Sequence, residues 1–117
     1  MDTNKITIYH NSRCSKSRLA LDFLTENGAK FTIVEYLKDI PTKNELMEII
    51  QKLGIRPIEL IRKGEDEYKD NFKGKELTDD QLIDAMVKFP KLIERPIVVK
   101  GEKAVIARPT EKIVELL

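Results

Sequence analysis

The stretch ITIYHNSRCSKSRLALDFLTENGAKFTIVEYL, residues 6–37, decides the fold class of this chain. β-Branched and aromatic runs at Ile6–Tyr9 and Phe31–Leu37 predict two short strands. Between them, apolar residues recur on one helical face over Ser15–Glu26, and Asn27-Gly28 is a signal for the end of a helix. The stretch therefore predicts a β-α-β unit.

The sequence after residue 40 predicts several helices followed by a hairpin. Thr42 and Thr78 each begin a capping-box pattern, in which Glu or Gln stands three residues after the threonine. The predicted elements are helices at about 43–53, 58–63 and 79–88, a loop with a short helical turn at 64–75, strands at 96–99 and 104–106, and a terminal helix from Pro109. Pro57 and Gly54 suit a helix start and a helix end, respectively.

The length of 117 residues is enough for one core without disulfides or metals. We predict a single domain at 1–117 of the α/β class, more closely α+β, with a small mixed four-stranded sheet. The helices at about 42–90 form an insertion between the two ends of that sheet.

Composition and charge exclude several classes of function. The 21 basic and 20 acidic residues give a net charge of +1, so no general nucleic-acid surface is expected. No apolar run approaches the roughly 20 residues that span a bilayer. One cysteine and one histidine do not make a usual zinc site, so we expect no metal. The lone cysteine and the absence of a signal-like start suit a cytoplasmic location.

The lone cysteine, Cys14, stands between a predicted strand and a predicted helix. Free N–H groups and the positive end of the helix dipole meet at such a junction and favour a thiolate or a bound oxyanion. Arg13, Lys16 and Arg18 add positive charge nearby. The plainer interpretation is a small buried residue beside solvated surface charges. The placement of Cys14 among three cations favours a reactive thiolate, with a lowered pKa.

The spacing around Cys14 excludes two familiar thiol motifs. Ser17 stands where a Cys-x-x-Cys dithiol requires its second cysteine, and Ala20 stands where a tyrosine-phosphatase loop requires arginine. With a single thiol in the sequence, a disulfide formed during turnover must be a mixed one. Arg95-Pro96 and Arg108-Pro109 each flank a strand of the predicted hairpin, so both arginines can reach one end of the sheet.

Three stretches resemble the ArsC-type arsenate reductases that are linked to glutathione and glutaredoxin: IYHNSRCSKSR (8–18), ELIRKGEDEY (59–68) and ERPIVVKGEKAVIARPTEKIVELL (94–117). The resemblance implies a thioredoxin-like fold with an inserted helical region. It also implies reduction of arsenate to arsenite, with glutathione as co-substrate, glutaredoxin as protein partner and no bound cofactor. Ser12 departs from the family pattern, which has proline at this position.

The resemblance also implies the functional residues. Cys14 corresponds to the nucleophile and His10 to the histidine just upstream of it, where it can tune the thiol or hold the loop. Arg62, Arg95 and Arg108 correspond to arginines that bind the oxyanion, and guanidinium groups suit such an anion because they hold two oxygens at once. The predicted surroundings of the thiol and anion are Ser15, Ser17, Arg18 and Pro96, the last as the cis-proline of thioredoxin-like folds.

Two alternatives remain open at the level of sequence. One is a transcription regulator of the Spx type that binds RNA polymerase, a class that usually has Cys-x-x-Cys at this loop. The other is a glutathione-linked thiol oxidoreductase that acts on a different substrate.

Overall fold

A computed structural model describes residues 5–117 of the chain. Among these residues, the strands are Ile6–His10 (β1), Phe31–Glu35 (β2), Ile97–Lys100 (β3) and Lys103–Ile106 (β4). The α-helices are Ser15–Glu26 (α1), Lys43–Leu53 (α2), Pro57–Leu60 (α3), Asp66–Asn71 (α4) and Asp79–Lys88 (α5). Pro90–Leu92 and Thr110–Leu116 are 3₁₀ segments.

The sheet has the strand order β2-β1-β3-β4. β1 pairs with β2 in parallel, whereas the β1–β3 and β3–β4 pairs are antiparallel. The mixed four-stranded sheet predicted from the sequence is confirmed. Ile8 pairs with Ile33 on one side and with Val98 on the other. Since the two parallel strands need a crossover, α1 connects them, and their carboxyl ends meet at the same edge of the sheet.

The core of the sheet unit forms where α1 and the C-terminal 3₁₀ segment contribute apolar side chains to one face. The buried members are Ile6, Ile8, Ala20, Leu24, Val98, Ala107, Ile113 and Leu116. β1 alternates buried with partly exposed residues, as a strand with one well-covered face does. Burial of a side chain such as Leu24 contributes roughly 1.5–3 kcal/mol to stability. This core holds α1, and therefore its first turn, against the sheet.

The described chain divides into two compact units. The sheet unit contains the described residues up to Asp39 together with Arg95–Leu117, and the helical unit is Ile40–Glu94. In the helical unit α2 and α3 contact α5. Both predicted capping boxes are present, with the hydroxyls of Thr42 and Thr78 accepting from the backbone N–H of Glu45 and Gln81. The interpretation of residues 1–117 as one domain stays a prediction.

Two predicted elements are shorter in the structure, and one differs in type. β2 ends at Glu35 rather than Leu37, because β1 offers no partner beyond His10 and the Glu35 carbonyl instead closes a turn. α3 ends at Leu60, because the next residues leave the helix and the Arg62 N–H donates to the Leu92 carbonyl at 2.7 Å. The predicted terminal helix is a 3₁₀ segment. The predicted helical turn within 64–75 is α4.

Candidate active site

The loop before α1 places Cys14 at the helix N-terminus. Cys14 is the N-cap residue, and its backbone carbonyl accepts from the Arg18 N–H at 3.1 Å. Its own N–H donates to the Asn11 carbonyl at 2.9 Å. The buried Ser17 closes the loop from the helix side, because its hydroxyl accepts from the Asn11 N–H at 3.3 Å. The half-buried thiol thus lies beside the free N–H groups of a helix start.

Two arginines from the far end of the chain reach the thiol. Arg108 Nη2 lies 3.8 Å from the Cys14 sulfur, within the range of a hydrogen bond to sulfur. The Nε–H group of Arg108 donates to the Arg95 carbonyl at 2.7 Å. The Arg95 side chain also interacts with the thiol, both by hydrogen bonding and by charge. Two fixed positive charges therefore accompany the sulfur.

The thiol is acidic for a cysteine. Burial raises the pKa of Cys14. Hydrogen bonds from the Ser17 backbone and the Arg95 side chain lower it and together outweigh the effect of burial, so the pKa is about 7. The direction is the one that the sequence predicted. A pKa of about 7 makes the nucleophilic thiolate available near neutral pH.

His10 ends β1 and is almost fully buried, with 5% of its surface exposed. Burial is the largest influence and lowers the pKa of the imidazole, Arg18 lowers it too, and Glu35 opposes both. Burial therefore favours the neutral form of the His10 imidazole. Its Nδ1 has no hydrogen-bond partner among the described residues. Its catalytic role stays a prediction.

The other predicted neighbours of the thiol differ in exposure. Ser15 and Arg18 are exposed on the first turns of α1, whereas Ser17 and Pro96 are buried. The Arg95–Pro96 peptide bond is cis, as the resemblance implied, and the Arg108–Pro109 bond is cis as well. The participation of these four residues in anion binding stays a prediction.

Arg62 lies in the helical unit. Its Nε is 3.5 Å from a Glu94 carboxylate oxygen and 3.7 Å from a Glu65 oxygen, and all three side chains are only a quarter exposed. Its backbone is held by the hydrogen bond to Leu92 described above. The assignment of Arg62 to an oxyanion site stays a prediction.

Two residues near the thiol escaped sequence analysis. Asn11 shapes the loop, since its side-chain oxygen accepts from the Arg13 N–H at 3.0 Å in addition to the backbone bond to Cys14. An asparagine two residues before a turn position is a recognisable signal for such a loop. Tyr36 is the second, a fully buried residue whose side chain interacts with that of Arg95. Only its position directly after a strand hinted at a place near the site.

Residues 5–117 contain neither a candidate metal-binding group nor a candidate membrane span. Within that range, no group of three or more His, Cys, Asp or Glu side chains could hold a metal ion. None of the helices in the same range has the length and apolar character that crossing a membrane requires.

Comparison with known proteins agrees with this fold. The model of the ArsC family matches residues 9–116. An arsenate reductase of Escherichia coli K12 is 40% identical, over 97% of this chain and 82% of its own length. A protein of the same strain named Uncharacterized protein YfgD is 44% identical, over 98% of both chains. The solved arsenate reductase from Vibrio cholerae has a TM-score of 0.92 at 41% identity and covers 97% of this chain and 98% of its own.

A site built on one thiolate and two arginines, in a thioredoxin-like fold with inserted helices, defines a class of small thiol enzymes. This chain belongs to the ArsC family.

Proposed function

We propose that this protein reduces arsenate to arsenite through a covalent adduct on Cys14, with glutathione and glutaredoxin as the sources of electrons. One observation carries the proposal: a thiol with a pKa of about 7 stands at a helix N-terminus beside two arginines. Arsenate is a tetrahedral dianion, and guanidinium groups and backbone N–H donors bind such anions. The arsenate reductases at about 40% identity support the same substrate.

The first step joins sulfur to arsenic. Arg95 and Arg108 neutralise the oxyanion next to the sulfur, and the Cys14 thiolate attacks the arsenic atom. One arsenic–oxygen bond breaks, and that oxygen leaves as water after protonation. No electrons are transferred in this step, so arsenic remains pentavalent.

The reduction itself needs a second thiol from outside the sequence, because Cys14 is its only cysteine. A glutathione thiol replaces another oxygen on arsenic, and water leaves again. When both arsenic–sulfur bonds break, arsenic keeps two electrons, and the two sulfurs join as a Cys14–glutathione disulfide. One water adds to the trivalent arsenic, which departs as arsenite. A glutaredoxin thiol then takes the glutathione and restores Cys14. Such chemistry requires a reducing compartment, and we place the protein in the cytoplasm on that ground.

The decisive experiment measures arsenite formed from arsenate with glutathione, glutaredoxin and glutathione reductase supplied. We expect turnover by the native protein and none by Cys14→Ser, a variant whose circular dichroism checks that it is folded. Substituting thioredoxin and its reductase for the glutathione system should give poor activity. Robust turnover with thioredoxin alone would refute the glutathione link. No arsenite under any donor would refute the substrate.

A further inference from the structure

Asn11 forms hydrogen bonds through its backbone and its side chain in the loop between β1 and α1. Its carbonyl accepts from the Cys14 N–H at 2.9 Å, and its side-chain oxygen accepts from the Arg13 N–H at 3.0 Å. Its own N–H donates to the Ser17 hydroxyl at 3.3 Å. Because Ser17 is fully buried on the first turn of α1, this last bond ties the loop to the helix. Asn11 therefore contacts the thiol residue, the loop and the helix.

The bond from Cys14 to Asn11 closes a four-residue reverse turn with Ser12 and Arg13 at its centre. Both central residues are exposed and have negative φ angles. Neither is proline, the residue that fixes φ in such turns. Of the bonds that Asn11 makes, only the one from Arg13 uses its side chain, so this bond alone depends on which residue type stands at position 11.

The position of the Cys14 sulfur matters because one of its cationic partners is fixed independently of the loop. Arg108 Nη2 lies 3.8 Å from the sulfur, and Arg108 Nε–H is held by the Arg95 carbonyl at 2.7 Å. An anchored guanidinium does not follow the thiol if the loop moves. Since a hydrogen bond weakens steeply as its geometry worsens, a small shift of Cys14 would cost this contact.

We propose that the Asn11 side chain is a positioning residue for Cys14, because its bond to the Arg13 N–H holds the turn that keeps the sulfur within reach of Arg108. Asn11 acts through the backbone of the turn and does not touch the reacting atoms. An amide suits this place, since it accepts a hydrogen bond without adding negative charge near a thiolate. The proposal rests on the proposed function only where arsenate kinetics are concerned, because the ionisation of the thiol can be measured without substrate.

The variant Asn11→Ala removes the side-chain bond and leaves both backbone bonds in place. The rate of iodoacetamide alkylation against pH reports the ionisation of Cys14. We expect the midpoint of this profile to move upward, by less than in Arg108→Ala, because the guanidinium remains and only its distance to the sulfur becomes variable. Asn11→Ser keeps a shorter acceptor and should recover part of the shift.

Asn27→Ala is the matched control. The Asn27 side chain also bonds to the backbone of the sheet unit, at the other end of α1, where it donates to the Phe23 carbonyl at 2.8 Å. Its loss should lower stability and leave the alkylation midpoint unchanged.

A rescue experiment separates positioning from stability. Proline at residue 12 fixes φ at about −65°, which agrees with the negative φ of Ser12. Ser12→Pro alone should leave the midpoint unchanged, and in the Asn11→Ala background it should return the midpoint toward the native value. An unshifted midpoint in Asn11→Ala would overturn the proposal even if the melting temperature fell, because Asn11 would then only stabilise the loop. Recovery of the melting temperature without recovery of the midpoint would overturn it too.

The arsenate assay supplies a second readout. We expect Asn11→Ala to lower kcat/KM for arsenate several-fold and Ser12→Pro to restore part of the loss. If native protein fails to reduce arsenate but the alkylation midpoints shift as expected, the substrate is wrong and the positioning role stands.

Discussion

The Nη2 nitrogen of Arg108 lies 3.8 Å from the sulfur of Cys14, although 94 residues separate the two in the chain. The antiparallel β3–β4 hairpin and the β1–β3 pairing bring them together. Arg108 lies two residues after the end of β4, and Cys14 lies four residues after the end of β1. Their proximity is the reason to treat the thiol and the arginines as one site.

The first prediction concerns the acidity of Cys14. Alkylation against pH should show a midpoint near the pKa of about 7, well below that of an ordinary cysteine. Arg108→Ala should raise the midpoint, because a positive charge 3.8 Å from the sulfur is lost. Arg56→Ala removes an exposed arginine whose salt bridge joins Asp79, and it should have no effect. A midpoint near 9 in the native protein would contradict the thiolate mechanism.

The second prediction tests the arginines as oxyanion ligands. Hydrogen bonds to a charged partner contribute about 1.5–3 kcal/mol each, so Arg95→Ala and Arg108→Ala should each lower kcat/KM for arsenate roughly ten- to a hundredfold. Arg→Lys at either position should recover only part of the loss, because lysine keeps the charge and lacks the planar fork. The same substitutions at Arg62 test the assignment made by resemblance.

Arg56→Ala serves again as the control for these kinetics, since Arg56 is an exposed residue outside the predicted set. The arginine site would be wrong if Arg56→Ala cost as much activity as Arg95→Ala. Full activity of Arg62→Ala would remove Arg62 alone from the site.

The third prediction concerns the pH dependence of stability at His10. Burial lowers the pKa of His10 below its ordinary 6.5, so the unfolded chain takes up this proton first as the pH falls. The contribution of neutral His10 is complete above about pH 6.5 and is lost as the pH falls through the folded pKa. Relative to His10→Gln, the native protein should therefore lose unfolding free energy below pH 6.5.

Urea unfolding of the two proteins between pH 8 and pH 5 measures this difference. Subtraction cancels the titration of carboxylates common to both proteins. A difference in unfolding free energy that stays constant over the whole range would show that His10 titrates normally when folded.

The fourth prediction concerns the end of α2. Gly54 has φ +68°, a left-handed conformation, and its N–H bonds to the carbonyls of Ile50 and Gln51. Gly54→Ala should lower the unfolding free energy by about 1 kcal/mol through backbone strain, because no heavy atom lies within 4 Å of the added methyl group. Gly64→Ala is the control, as Gly64 has equal space and no positive φ. Equal effects of the two substitutions in thermal melts would exclude strain as the cause.

Much of the local structure follows from the sequence. The two capping boxes, Gly54 at the end of α2 and the apolar periodicity of Ser15–Glu26 act over three or four neighbouring residues, so the pattern alone predicts the helix bounds. The place of Cys14 at the start of α1 is a local property of the same kind. The end of β2 is not a local property, because the length of a strand depends on how far its partner strand extends.

The chemistry of the site depended on tertiary structure. The Ser17 backbone, a local partner, lowers the pKa of Cys14, and so does the Arg95 side chain, which the pairing of β3 with β1 brings near the sulfur. Tyr36 illustrates the same dependence, because a tyrosine after a strand is unremarkable until the sheet order sets β2 beside β1. Local hydrogen-bonding and apolar patterns therefore determined the bounds of α1, α2 and α5 and the position of the thiol. Only the pairing of strands distant in sequence decided which charges surround it, because such contacts depend on how the whole sheet is assembled.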